Sequence, residues 1–227
     1  MKVLKFWAVL VLVSLLAIGC GKKSGLEGKV VDDKGQPIAN VKVVVRQVQP
    51  IKGYEQFEAT TGSDGTFRFG KLYPSSEYAL LVQFYDGGWI VQSGPEGETR
   101  ILPAFLTIRF MGSSEGTIAD SRTGLEWVVG PDRETNYAHA EQWVANCKLM
   151  GGGWRMPTRQ ELRTIYQQGI GERNMDSVFK TTGWWVWAEP KDSSSAWNLG
   201  FSNGYENWYL RSSSGNGRGF GVRSRPQ

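Results

Sequence analysis

The chain of 227 residues predicts two consecutive folded units, an antiparallel β-sandwich over residues 27–110 and an α+β domain over 114–227. Three observations carry this reading. The first half is built of short segments that alternate apolar and polar residues, with turn formers between them, as a sandwich requires. After Gly112-Ser113-Ser114 the composition changes, and eight of the ten tryptophans lie beyond that point. In the second half, two stretches with helical spacing precede four aromatic-rich strand patterns. The roughly 207 residues after Cys20 suffice for two separate cores.

An export segment stands ahead of both units. Lys2 and Lys5 precede an apolar run of thirteen residues, Phe6 to Ile18, broken only by Ser14. A membrane-spanning helix needs about 20 apolar residues, so this run has the length of a signal-peptide core with its charge on the correct flank. Leu16-Ala17-Ile18-Gly19-Cys20 is a small-residue cleavage site closed by cysteine. Residues 1–20 are expected to be a lipoprotein signal peptide and 21–26 a polar tether. The motif resembles the bacterial lipobox, with Ala17 in place of the usual leucine. That resemblance implies a diacylglycerol thioether on Cys20 plus an N-acyl chain, and several chains anchor stably where one is marginal. Gly21 after the cysteine is similar to lipoproteins sorted to the outer membrane. The expected location is therefore exported and lipid-anchored, at the outer membrane.

The sandwich strands follow in order. Gly28 to Asp32 is a short strand, and Asp33-Lys34-Gly35 a turn. Val41, Val43 and Val45 line one face at period two. Asp64-Gly65, between Glu58–Thr61 and Thr66–Phe69, predicts a hairpin. Tyr78 to Phe84 and Leu106 to Phe110 supply further strands. The set Gly28-x-Val30-x-Asp32-x-x-Gly35-x-Pro37-Ile38-x-x-Val41, with Thr61-x-x-Asp64-Gly65-x-Phe67-x-Phe69, Leu72-x-Pro74 and Tyr78, resembles the carboxypeptidase regulatory-like domain. The resemblance implies a transthyretin-like sandwich acting as a non-catalytic spacer. Asp64 is expected to form the turn, not to bind calcium.

In the second half, Thr117 to Trp127 predicts two strands about a turn at Gly124. A helix capped by Thr135 or Asn136 buries Ala140, Val144 and Cys147, and ends at Gly151-Gly152-Gly153. Thr158 and Glu161 form a capping box for a second helix that buries Leu162, Ile165 and Tyr166. Strands are expected at Trp184–Ala188, Ala196–Phe201, Trp208–Arg211 and Phe220–Arg223. Thr123-Gly124-Leu125-x-Trp127, Cys147 and Trp154-Arg155-Met156-Pro157-Thr158-x-x-Glu161-Leu162 resemble the Lcl C-terminal domain family, named for a collagen-like bacterial adhesin. This implies a fold similar to C-type lectin-like and formylglycine-generating-enzyme-like domains, and a role in binding sulfated glycans. Where that family often carries a second cysteine, this chain has Gly221. Cys147 is thus expected to be an unpaired, buried thiol, and Arg155 and Arg223 to make structural pairs.

Function classes narrow accordingly. The formal charge of +4 falls to +2 without the two signal lysines, with no basic face for nucleic acid. A single histidine, His139, offers no partner for a metal site or a serine triad. No redox cysteine pair exists, and among Glu126, Glu189 and Glu206 no glycosidase pair stands out. The expectation is no catalytic residue, no metal and no cofactor. Aromatic faces for sugar rings and planar polar groups for hydroxyl or sulfate are concentrated in the last third. The ligand-binding candidates are Trp187, Trp197, Asn198, Trp208, Tyr209, Arg211 and Arg218. The expected partners are the membrane through the anchor and a glycan, with an envelope protein as the alternative ligand.

Overall fold

The computed structural model describes residues 22–225, so the expected signal peptide and the expected lipidation at Cys20 lie outside the described residues. The first unit is built from β1 (Ser24–Asp32), β2 (Lys42–Gln47), β3 (Gln56–Thr60), β4 (Thr66–Leu72), β5 (Glu77–Val82), β6 (Gly88–Gln92), β7 (Thr99–Ile101) and β8 (Leu106–Ile108). Two sheets form. One has the order β4-β1-β7, with β8 also on β1, and the other β3-β2-β5-β6. Period-two patterning supplies the core. Val43 pairs with Val82 and Val45 with Leu80, so four apolar side chains share the inner face of β2 and β5. Leu26, Val30, Phe67, Phe69 and Leu72 meet them from the other sheet. Each fully buried side chain of this kind contributes about 2 kcal/mol.

Four expectations are corrected here. The tether is shorter than 21–26, because β1 already starts at Ser24, which pairs with Leu72. The sandwich is not purely antiparallel, since β1 runs parallel to both β7 and β8. Asp64-Gly65 makes its turn, with the Asp64 carboxylate accepting from the Thr66 amide and hydroxyl at 3.0 and 2.7 Å. The flanking strands do not pair, however: β3 joins β2 and β4 joins β1. The turn crosses between sheets because Gly65 lies against β1, where a Cβ would come within 2.4 Å of the Val30 carbonyl oxygen. Finally, Phe110 belongs to the second unit, not to the sandwich.

That second unit holds β9 (Phe110–Gly112), β10 (Thr117–Asp120), β11 (Leu125–Val129), α1 (Tyr137–Asn146), α2 (Arg159–Ile165), β12 (Trp185–Pro190), β13 (Ser195–Gly200), β14 (Glu206–Leu210), β15 (Gly217–Arg218) and β16 (Phe220–Ser224). Its sheets run β16-β11-β10-β9 and β14-β13-β12-β15. Aromatic rings fill the core between them: Phe110, Trp127 and Phe220 each pack on Phe179, at centroid distances from 5.1 to 6.2 Å. Asn136 caps α1, its side chain accepting from the His139 amide at 2.9 Å. The helix ends at Asn146, ahead of the glycines, because Cys147 leaves the helical conformation and a 3₁₀ turn follows at Leu149–Gly151. Cys147 is half-buried at that cap and unpaired among the described residues. Gly219 lets α1 approach β16, since a Cβ there would sit 2.8 Å from the Ala140 Cβ. The capping box of α2 is formed as expected; Leu162 and Ile165 are buried, while Tyr166 is half-buried at the cap.

The sandwich carries its two attachments at opposite ends. Connections 48–55, 73–76 and 93–98 lie beside the start of β1: the Tyr54 hydroxyl reaches the Lys22 carbonyl, Ser24 pairs with Leu72, and Gly25 pairs with Thr99. The second unit docks on the other end. There Arg122 forms two hydrogen bonds to Asp33, at 2.8 and 3.1 Å, and the Gly112 amide donates to the Phe84 carbonyl at 2.8 Å.

Candidate functional site

The most exposed regular element of the Trp-rich unit is β14. It forms the edge of its sheet, and all five of its residues are exposed. Register with β13 sets what lies on each face. Trp208 pairs with Trp197, and Tyr209 with Ala196.

On the Trp208 face, a cation lies against one side of each tryptophan ring. The Arg159 guanidinium, from the first position of α2, lies 4.0 Å from the Trp197 ring centroid, and Lys191 Nζ lies 4.6 Å from that of Trp208. Arg159 is held in place by two carboxylates, Glu189 at 2.9 Å and Glu206 at 3.2 Å, and Arg163 adds a 3.0 Å bond to Glu206. At the Glu206 end a shallow groove of about 590 Å³ is lined by Arg163, Tyr166, Asn203, Tyr205 and Asn207. On the opposite face Tyr209 tilts against Trp185 at 5.2 Å. Beside it Arg211 lies 4.9 Å from the Tyr137 ring and donates to the Asp192 carbonyl at 2.8 Å. The Asp192 carboxylate accepts from the hydroxyls and amides of Ser195 and Ser194, which hold it well below the usual carboxylate range. Burial pushes the Tyr137 phenol up to about 12, with Glu141 adding to the rise, and the hydroxyl donates to Glu141 at 3.2 Å.

The structure sorts the seven candidates. Trp208 and Tyr209 are exposed, at 51% and 42%. Trp197 and Arg211 are half-buried beside them. Trp187 is core, fully buried, with its indole N–H donating to the Thr135 carbonyl at 2.8 Å. Alternation along β12 turns it toward α1, where it packs edge to face with Tyr137 at 5.6 Å. Arg218 is buried too, although it borders a loop. It bonds Asp132 at 2.7 Å and the Thr182 hydroxyl at 3.0 Å, so it is a fold-holding residue. Asn198 is 1% exposed on central strand β13, and neither atom of its amide has a partner among the described residues. Arg159 and Tyr205 were not among the candidates. Arg159 sits at a helix start, where the sequence signal is capping, and only tertiary packing brings it over Trp197.

The three carboxylates considered for hydrolysis all face arginines. Glu126 is held by Arg223 at 2.7 Å, and Glu189 and Glu206 share Arg159. Arg223 also donates to the Met150 and Gly152 carbonyls and stacks on Trp154 at 4.2 Å, while Arg155 pairs with Glu161 at 2.5 Å. His139 is exposed on α1.

Fold and surface together define a β-rich, two-unit protein with an aromatic and cationic sheet edge at one end. Residues 25–88 match the family model of the carboxypeptidase regulatory-like domain, and residues 116–219 that of the Lcl C-terminal domain. This domain pair is that of a surface or envelope protein with a β-sandwich domain. No curated protein matches the chain significantly. Among solved structures the chain is similar to a DUF3823 family protein from Parabacteroides merdae, at 18% identity over 47% of this chain and 57% of that one, with a TM-score of 0.30. A DUF3823 family protein from Bacteroides ovatus overlaps at 15% identity over 46% and 55%, with a TM-score of 0.29. The chain thus spans just over half the length of these two proteins, and at such TM-scores the likenesses are partial overlaps.

Proposed function

We propose that this protein is an exported lipoprotein, anchored through Cys20 at the outer membrane, whose C-terminal lectin-like domain binds carbohydrate without catalysis. The observation that carries the binding role is β14: every residue is exposed, and Trp208 and Tyr209 offer ring faces beside Lys191 and Arg211. Flat aromatic faces suit the C–H faces of sugar rings, and neighbouring cations suit sulfate or carboxylate groups. The sandwich is the spacer.

A glycan array probed with the mature ectodomain tests this reading. Specific binding to sulfated or acidic glycans is expected, weakening as salt rises. Trp208→Ala with Tyr209→Ala should lower affinity at least about tenfold, the effect of about 1.4 kcal/mol that a stacked aromatic anchor readily supplies. Retained affinity in that variant would move the site elsewhere. The unpaired edge of β14 also favours a second reading, strand addition by an envelope protein. Pull-down of one such protein, with an empty glycan array, would select it.

A further inference from the structure

The amount of chain between Cys20 and the sandwich sets a geometry. The two residues before β1 are already bonded to the fold: the Tyr54 hydroxyl donates to the Lys22 carbonyl at 2.8 Å, and the Gly97 amide donates to the Lys23 carbonyl at 2.9 Å. Gly21 alone separates Cys20 from Lys22. One residue spans at most about 3.6 Å, so the Cys20 and Lys22 Cα atoms are no more than about 7 Å apart. A lipid on Cys20 therefore brings this end of the sandwich to the bilayer surface and leaves it almost no slack.

The chemistry of that end suits the position. Its leading loop, 48–55, exposes Val48 at 46% and Ile51 at 37%. Tyr54 of this loop packs edge to face with Tyr73 at 5.2 Å, and tyrosine is a side chain that settles at headgroup depth. Charge is balanced, Lys22, Lys23 and Lys52 standing against Glu55, Glu96 and Glu98. Apolar contact, not attraction to anionic lipid, is the driving force such a surface offers. β1 has nine residues at about 3.3 Å each, so the opposite end, which carries the second unit, stands about 30 Å away.

We propose that the end of the sandwich led by Val48 and Ile51 seats on the phospholipid headgroup layer and fixes the second unit at a set height and orientation above it. The proposal rests on lipidation of Cys20. It is tested with mature protein beginning at Cys20 and carrying Cys147→Ser, so that one thiol reacts with a maleimide phospholipid in phosphatidylcholine vesicles. Hydrogen–deuterium exchange is compared between coupled and free protein. Amides of residues 48–55 should slow several-fold on coupling, to the same degree when anionic lipid is added. Val48→Asp with Ile51→Asp should abolish the slowing while coupling persists. Unchanged exchange in this loop, or slowing confined to β14 or to the opposite end, overturns the proposal. Because coupling supplies the lipid chemically, the result does not depend on lipidation in the cell. Cys20→Ser tests that step separately, and persistence of this variant in the membrane fraction would refute it.

Discussion

Asn198 and Arg223 are both enclosed in the Trp-rich unit, but only Arg223 is satisfied. It makes two bonds to Glu126 and reaches two carbonyls, so its charge is compensated inside the fold. The Asn198 amide has no partner among the described residues. An unsatisfied buried polar group costs about 1–3 kcal/mol, while an apolar group of similar shape escapes that cost. Asn198→Leu is therefore expected to raise stability by about 1 kcal/mol in urea denaturation, and a loss of stability would show that the amide is bonded in solution. Residue roles were only partly legible beforehand. Arg155 and Arg223, expected to make structural pairs, are both paired, with Glu161 and Glu126. Trp187 and Arg218, ligand-binding candidates by sequence, are buried, and aromatic and basic residues look alike in sequence whether they face core or solvent. Burial depends on which sheet face alternation selects, and that is fixed by partners distant in the chain.

Elements were more legible than their partners. The period-two valines of β2, the cap at Asn136 and the Thr158 box all form where local chemistry places them. Asp64-Gly65 shows the limit: the turn is local and correct, yet the choice between a hairpin and a crossing between sheets is tertiary. The segment between β11 and α1 is fixed by a polar cluster. Burial pushes the Asp132 carboxyl up, but bonds from Arg218 and from the Thr182 amide, with the Thr181 hydroxyl, overcome this and hold it at about 2. Its ordinary value is 3.8. A depressed carboxylate contributes stability that is present above the unfolded value and is lost as pH falls through the folded one. The cluster should thus weaken between about pH 4 and pH 2, and Asp132→Asn should flatten thermal stability across that interval. An unaltered pH profile in Asp132→Asn would mean the cluster is not closed. The effect is expected to be small, because the Asp132 side chain is 36% exposed to screening solvent.

At the scale of the whole molecule, each unit has its own core, and a few contacts join them: Met111 of β9 packs on the sandwich core, and the rest are polar. The Arg122–Asp33 pair is largely exposed, and pairs of that kind contribute about 0–1 kcal/mol. The units should therefore fold separately if the chain is cut where their cores divide. The composition shift placed that cut at 110–114, but covalent order and packing disagree with it. Phe110 is 1% exposed against Phe179, and Arg109 makes a bidentate pair with buried Asp120 at 2.9 and 2.8 Å. A fragment of residues 114–227 loses β9, the Phe110 ring and the partner of Asp120. Removing a buried phenylalanine costs about 3–5 kcal/mol, and stripping one member of a buried ion pair costs a similar amount. A fragment of residues 109–227 keeps all three features. The longer fragment should melt cooperatively, while the shorter should be largely unfolded, or melt at least 10 °C lower, the order of shift that several kcal/mol produce in a domain of this size. Equal melting temperatures for the two fragments would mean that Phe110 and Arg109 belong, energetically, to the sandwich after all.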